Sequence, residues 1–190
     1  MLSKYRLWCL LFMLIFVASC AGSASYMKAS ETLNERPPDD KALVRFMRPY
    51  KFSGSARNFF VLDQEKAIGN NPVSTQFDYL AAPGKHLFIS GAAGARKSFL
   101  EADLEGGRIY YVIVSLNLTG VRLIPVKKNS EYWDKVKKYE TSLKKLMPNT
   151  EILTQWEQDN RLEIQKLMSY YETSPKDSHS NLMLSPDDGV

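Results

Sequence analysis

Hydrophobic residues change their spacing along the chain, and the changes divide it into three kinds of segment. Residues 7–17 are apolar or aromatic without interruption. Between residues 41 and 128, short apolar stretches that partly alternate with polar residues are separated by turn residues, a pattern typical of strands. After residue 128 the apolar residues recur three and four positions apart, which predicts amphipathic helices. We therefore expect a mainly β chain with a leader before it and helices after it.

Residues 41–128 are predicted to form an antiparallel β-sandwich of about seven strands. The strongest strand signal is "RIYYVIVSLNL", which is rich in β-branched and aromatic residues. The stretches "NFFVL", "DQEK" and "AIG" predict a hairpin, whereas "ALVRFMRPY" lacks strict alternation because Phe46 and Met47 are adjacent. Short strands separated by turns favour a sandwich, with a small barrel as the alternative.

Residues 129–172 are predicted to form a helical hairpin. Ser130 is a candidate N-cap of the first helix, and Pro148 with Asn149 separates the two helices. The apolar stripes are Trp133, Val136, Tyr139 or Glu140, Leu143 and Leu146, then Leu153, Trp156, Asn160, Ile164, Leu167 and Tyr171. The short connection makes the helices antiparallel, so that they either cover the sheet or bind a protein partner. Residues 173–190 are predicted to be a disordered tail.

The apolar run near the start is predicted to belong to a secretory signal peptide, residues 1–19. Lys4 and Arg6 precede the run and small residues follow it, which is the usual order of the three parts of such a signal. A helix that crosses a bilayer needs about 20 residues. The run of residues 7–17 is too short, so a leader that is removed is favoured over a retained transmembrane helix.

Cys20 is predicted to be a lipid attachment site. The tetrad Val17-Ala18-Ser19-Cys20 resembles the lipobox of bacterial lipoproteins. This resemblance implies that the Cys20 thiol receives a diacylglyceryl group and that signal peptidase II cuts just before it, which would make the bilayer a partner of the acylated cysteine. Cleavage near residues 22–24 without a lipid is the alternative. Cys9 would leave with the leader, so the mature chain could form no intramolecular disulfide and no cysteine metal site.

The residues that follow Cys20 bear on where the chain works. In the lipoprotein pattern an Asp after the cysteine often retains the protein at the inner membrane, whereas Ala21 follows here. The resemblance therefore favours the outer membrane, facing the periplasm. Residues 20–40 contain few large aliphatic side chains and are predicted to be a tether.

Net charge argues against a nucleic-acid partner. The formal charge of the chain is +4, and removal of Lys4 and Arg6 with the leader lowers it to +2. This is too little for the concentrated basic face of a nucleic-acid binder. The hydrophobic content of 44% is typical of a chain with a folded core.

Several turns and strand centres resemble those of the domain of unknown function 2846 family of bacterial lipoproteins. The shared marks are Arg48-Pro49, Gly54-Ser55, Ile68-Gly69, Pro83-Gly84 with His86, and Leu104, Gly107 and Tyr110 to Val112. The resemblance implies a prealbumin-like or Ig-like β-sandwich over residues 41–128 in a cell-envelope lipoprotein. It implies no established activity, and it does not include the helices after residue 128.

Histidine and serine offer one weak catalytic candidate. His86 has no second histidine or cysteine at a ligand spacing, so neither a zinc site nor a cofactor is predicted. Ser90 or Ser115 would need His86 within hydrogen-bond reach to act as a nucleophile. A locally hydrogen-bonded His86 is favoured.

Acidic clusters and one glycine-rich stretch are the other chemical candidates. Asp63 with Glu65, or Glu101 with Asp103 and Glu105, could suggest glycosidase carboxylates. The second set recurs every two residues, so a solvated strand face is favoured. The stretch "GAAGARKS" has Arg96 where a phosphate-binding loop needs glycine, so it is interpreted as an ordinary loop.

A basic run lies in the predicted helical hairpin. It contains Lys135, Lys137, Lys138, Lys144 and Lys145, close to Tyr132, Trp133 and Tyr139. Such a set could lie on anionic lipid headgroups, but intervening acidic residues favour the solvated face of a packed helix. The sequence as a whole predicts a non-enzymatic binding or structural lipoprotein, with an envelope hydrolase acting on glycan or peptide, or an accessory subunit of an envelope assembly, as alternatives.

Overall fold

The computed structural model describes residues 25–52, 57–91, 96–117, 120–174 and 183–190. The predicted signal peptide and Cys20 lie outside the described residues, as does the Gly54-Ser55 turn. The described part of the chain is mainly β, as predicted, with eleven strands in two sheets and three α-helices. None of the helices in these ranges is both long and apolar enough to cross a membrane.

Sheet A has six strands and sheet B has five. The spatial order in sheet A is β1 (Met27–Ala29), β10 (Lys144–Pro148), β5 (Thr75–Ala81), β2 (Ala42–Arg48), β8 (Ile109–Asn117) and β9 (Gly120–Pro125). The order in sheet B is β11 (Met183–Leu184), β7 (Ser98–Leu104), β6 (Gly84–Gly91), β3 (Phe59–Asp63) and β4 (Lys66–Asn71). Most neighbours are antiparallel, and β3 and β4 form the predicted hairpin.

The prediction of a purely antiparallel sandwich is wrong, and the described chain has three strands beyond residues 41–128, which themselves form eight strands against about seven predicted. Strand β2 pairs with β8, β5 with β10 and β7 with β11 in parallel. Parallel neighbours need a long connection between them, and the chain that joins β2 to β8 contains all of β3, β4, β6 and β7. The additional strands come from segments that were predicted to be a tether, a helix and a tail.

The helical hairpin predicted over residues 129–172 is replaced by three helices and a strand. The helices are α1 (Trp133–Ser142), α2 (Thr150–Asp159) and α3 (Arg161–Thr173). Strand β10 lies between α1 and α2, and its Leu146 pairs with Phe77 of β5. Leu146 thus continues the apolar spacing of α1, but it fills the core from a strand instead of a helix.

The elements form four layers. An apolar core lies between the two sheets and includes Phe46, Phe77 and Phe88. Helix α1 packs on the outer face of sheet A, whereas α2 and α3 pack on the outer face of sheet B. Strand β2 is buried at all seven positions, because both faces of its sheet are covered. This explains why adjacent Phe46 and Met47 are both apolar.

Both ends of the described chain pair with the sheets, so two predictions of unstructured segments are wrong there. Within the predicted tether of residues 20–40, Met27 pairs with Pro148 of β10. Within the predicted tail of residues 173–190, β11 pairs with β7, and the backbone of Val190 exchanges two hydrogen bonds of 2.8 and 3.0 Å with Ile109. The apolar residues Met27 and Leu184 are buried in the core, which stabilises both segments.

Candidate functional site

His86 belongs to a hydrogen-bonded cluster that joins the two sheets. Its Nδ1 lies 2.8 Å from Asp63 Oδ2, and its Nε2 lies 2.8 Å from the carbonyl oxygen of Ala82. Tyr79 of sheet A donates its hydroxyl to the same Asp63 oxygen at 2.8 Å. Strands β3, β5 and β6 therefore position the Asp63, Tyr79 and His86 side chains around one carboxylate.

The charge state of this cluster follows from its partners. A carboxylate and a carbonyl oxygen both accept hydrogen bonds, so both His86 nitrogens donate and the imidazolium form is favoured. The hydrogen bond to Asp63 outweighs the effect of burial and, with the Ala82 carbonyl, raises the pKa of His86 above its ordinary value. Burial and the charge of Asp63 raise the pKa of Tyr79. The cluster holds the sheets together, and it leaves His86 no nitrogen that could take a proton from a serine.

The two candidate serines lie elsewhere. Ser90 is four residues from His86 on β6, about 13 Å along an extended strand, and it donates to the carbonyl of Phe60. Ser115 belongs to β8 in the other sheet. The structure therefore brings neither serine together with His86.

The candidate carboxylates are engaged separately. Asp63 is held by His86 and Tyr79 as described. Tyr171 of α3 donates to Glu101 Oε1, and Arg108 forms an ion pair of 2.6 Å with Glu105. Among the residues that the structure describes, no group of three or more His, Cys, Asp or Glu could hold a metal ion.

The glycine-rich stretch "GAAGARKS" lies partly outside the described residues, which exclude 92–95. Its described end leads into strand β7, which begins at Ser98. A phosphate-binding loop opens a helix, whose N-terminus binds the phosphate. The strand at this position agrees with the interpretation of the stretch as an ordinary loop.

A buried ion network attaches α1 to sheet A. The Arg45 guanidinium contacts Asp78 through Nε at 2.7 Å and through Nη2 at 3.1 Å. Its Nη1 donates to Glu140 of α1, which also accepts a hydrogen bond of 3.0 Å from Tyr111. Burial disfavours the Arg45 cation, but the hydrogen bond and charge of Asp78, with the charge of Glu140, raise the Arg45 pKa. The side chains of Arg45 and Asp78 are only 7% and 5% exposed, so the network is structural.

The C-terminus of α1 is capped by a side chain of the sheet. The amide of buried Gln76 donates to the carbonyls of Tyr139, Glu140 and Leu143 at 3.3, 2.9 and 3.1 Å. The Tyr139 carbonyl also accepts the backbone N–H of Leu143 at 2.9 Å, whereas carbonyls of the last turn such as that of Glu140 have no partner within the helix. The Gln76 amide, which has two N–H donors, therefore holds the end of α1 against strand β5 and fixes the position at which α1 ends.

The predicted basic run is divided between a helix and a strand. Lys135, Lys137 and Lys138 lie on α1, whereas Lys144 and Lys145 lie on β10. The neighbouring aromatic residues Tyr132, Trp133 and Tyr139 pack against the cluster under α1. The aromatic side chains are therefore used inside the molecule, which supports the interpretation of the lysines as a solvated face.

The structure contains an apolar cavity of about 430 Å³ between sheet B and the helices that cover it. Its lining includes Phe60, Leu62 and Ile89 from the sheet, and Trp156, Ile164 and Leu167 from α2 and α3. Phe60 and Trp156 are stacked with ring centroids 3.9 Å apart. The cavity lies where Asn160 separates α2 from α3.

The polar lining of this cavity consists of few groups. Lys97 and Glu163 line it together with Asn160. Asn160 donates its side-chain amide to the carbonyl of Trp156 at 2.7 Å, and Glu163 is paired with Lys166 at 2.7 Å. Protein interiors are close-packed, and ligand cavities of about 300–1,000 Å³ are typical of small-molecule sites. This cavity is the candidate ligand site.

Sequence reasoning missed this site because its lining comes from distant segments. The local pattern predicts a strand at Phe60 and a helix at Trp156, and both predictions are confirmed. Nothing in their spacing indicates that they stack. The buried ion network had a visible signal, because Arg45 is a charged residue between apolar neighbours in the strand that ends at Arg48.

Comparisons of the chain with protein-family models, curated proteins and solved structures gave no match. The resemblance to the domain of unknown function 2846 family therefore stays a prediction.

Proposed function

We propose that this chain is a cell-envelope lipoprotein with a non-enzymatic binding role, anchored to the bilayer through acylated Cys20. The observation that carries the binding role is the apolar cavity between sheet B and the two helices α2 and α3. The tetrad that ends in Cys20 carries the anchoring. The same proposal includes two further points. The fold is the prealbumin-like or Ig-like sandwich of the domain of unknown function 2846 family, and the protein is located at the outer membrane.

The start of the fold supports a short anchor. Ser25 accepts a hydrogen bond of 3.1 Å at its carbonyl from the Asn149 side chain, and Tyr26 packs against Phe60 with ring centroids 4.9 Å apart. Five residues from Cys20 to Ser25 span at most about 18 Å. A lipid on Cys20 would thus hold the fold close to the membrane surface, and the tether is shorter than residues 20–40.

The contacts of His86 support the binding role over the hydrolase alternative. A hydrolase of the kind considered would use His86 as a base or combine two convergent carboxylates. His86 is held between Asp63 and Ala82, and the carboxylates of Glu101 and Glu105 have separate partners. The cavity supplies a space for an apolar ligand in a different part of the fold.

The anchor is tested by labelling cells with radioactive palmitate. The chain with Cys20→Ala should incorporate no label, and its mass should lack the lipid. Cys9→Ala is the matched control, because Cys9 lies in the same leader and should be removed with it. Label that persists in Cys20→Ala, or its absence from the unsubstituted chain, would contradict the proposal.

A further inference from the structure

We propose that the cavity binds one long-chain amphiphile with an anionic head group, of the fatty-acid class. This inference rests on the proposed binding role and names its ligand. The alkyl chain would lie between Phe60, Leu62 and Ile89 of sheet B and the two covering helices. The head group would lie beside the Lys97 ammonium.

The shape of the cavity favours a single flexible apolar chain. Two walls face each other: the outer face of sheet B supplies aliphatic and aromatic side chains, and Ile164 with Leu167 of α3 supplies aliphatic ones. Ile89 and Ile164 are almost fully buried. Transfer of an alkyl chain from water to such walls is favourable in proportion to the apolar area that is buried.

The charges at the cavity favour an anionic head group. Lys97 and Glu163 are its charged lining residues, and Glu163 is already paired with Lys166. The Glu163 carboxylate is thus engaged by a lysine outside the lining, and Lys97 supplies the cation that lines the cavity. An ammonium carries three donors, so Lys97 can bond to a carboxylate in addition to another partner.

Gly91 explains how Lys97 reaches this position. A Cβ at Gly91 would lie 2.3 Å from Lys97 Cδ and 3.1 Å from its Nζ. The side chain of Lys97 therefore lies across bare backbone, and Gly91 also lines the cavity. Gly91→Ala would displace the Lys97 ammonium without removing its charge. This substitution therefore tests whether ligand binding depends on the position of the ammonium.

The test is a calorimetric titration of a protein that consists of residues 21–190 and carries no lipid. Palmitate is added below the concentration at which it self-associates. Residues 21–190 contain every helix and strand that the structure describes. One palmitate should bind per chain, and shorter fatty acids should lose affinity by about fourfold for each methylene removed. Hexadecyltrimethylammonium, which has the same chain length and the opposite charge, should bind more weakly than palmitate.

Three substitutions separate the chain site from the head-group site. Ile89→Phe fills the cavity and should weaken both amphiphiles at least tenfold. Lys97→Met and Gly91→Ala should each weaken palmitate by about tenfold without weakening the cationic amphiphile. Lys85→Met, which removes an exposed lysine from the same strand as Ile89, is the matched control and should change neither.

Several results would overturn the inference. These are the absence of saturable palmitate binding, an unchanged affinity in Ile89→Phe, or a stronger affinity for the cationic amphiphile. The same titration can be made on acylated protein purified from membranes. If residues 21–190 bind palmitate and the acylated protein does not, the cavity would instead be assigned to the protein's own lipid. The titrated chain begins after Cys20 and carries no lipid. Loss of palmitate labelling in cells would therefore contradict the anchor alone, and absence of binding in the titration would contradict the cavity site alone.

Discussion

The outer faces of the two sheets are both covered by helices, but the contacts differ in kind. Under α1, the Arg45 guanidinium bridges Asp78 and Glu140, and Gln76 caps the helix. Under α2 and α3, the contacts are largely aromatic and aliphatic, and they leave a cavity of about 430 Å³.

This difference indicates separate tasks for the two faces. Directional hydrogen bonds and ion pairs fix one arrangement of α1, because each donor and acceptor needs its own partner. Apolar contacts are not directional and accommodate changes in packing with smaller losses. The face of sheet A therefore holds one helix in a fixed position, whereas the face of sheet B leaves space between its strands and the helix pair, where we propose that a ligand binds.

The largest effect is expected from breaking the ion network. Arg45→Met should lower the free energy of unfolding by about 3–5 kcal/mol, because Asp78 would be left buried without its cation. Urea unfolding followed by circular dichroism measures this. The double variant Arg45→Met, Asp78→Asn should lose less than Arg45→Met alone, and a greater loss in the double variant would argue against a charge-pairing role.

Truncation of an apolar side chain under the helices of sheet B should lower the free energy of unfolding somewhat less than Arg45→Met does. Leu153→Ala of α2 removes a side chain that is buried against sheet B, and should lower the free energy of unfolding by about 2–3 kcal/mol. The same urea experiment applies. If Leu153→Ala lowered the free energy of unfolding more than Arg45→Met does, the ion network would not be the stronger of the two helix attachments.

The free energy of unfolding should depend on pH through His86. This residue lies between the two sheets and belongs to neither of the helix-covered outer faces compared above. The folded-state pKa of His86 is raised above 6.5, so its stabilisation is fully present below pH 6.5 and is lost as pH rises through the folded-state pKa. Urea midpoints for the unsubstituted chain should therefore fall over this range. His86→Gln should show a flatter profile, and identical profiles would contradict the assignment.

The smallest effect is expected from filling the cavity. Ile89→Phe should change the free energy of unfolding by less than about 1 kcal/mol, because the added atoms enter existing space and displace no packed side chain. Thermal unfolding without ligand measures this. A loss comparable with that of Leu153→Ala would mean that this wall of the cavity is already close-packed.

Local patterns predicted the fold where neighbours in sequence are also neighbours in space. The β3–β4 hairpin and the strong β8 strand follow from turn residues and β-branched side chains. The position of β10 could not be predicted in this way. Leu143 and Leu146 keep the helical spacing of α1, whereas the pairing of β10 with β1 and β5 depends on residues more than sixty positions away.

The candidate site was less predictable than the fold, for the same physical reason. His86 was expected to be hydrogen-bonded locally, and one of its partners is indeed the nearby Ala82 carbonyl. Its other partner, Asp63, comes from a different strand. The cavity depends on how the helices cross sheet B after Asn160, which no local spacing encodes.

The position of β10 determines the order in which the fold can form. Residues 144–148 lie between β1 and β5, so sheet A stays divided until more than three quarters of the chain has been synthesised. Among the described strands, β1 has β10 as its one neighbour in the sheet. Long-range pairing of this kind slows folding, and a chain that crosses a membrane N-terminus first would complete sheet A only after Pro148 has emerged.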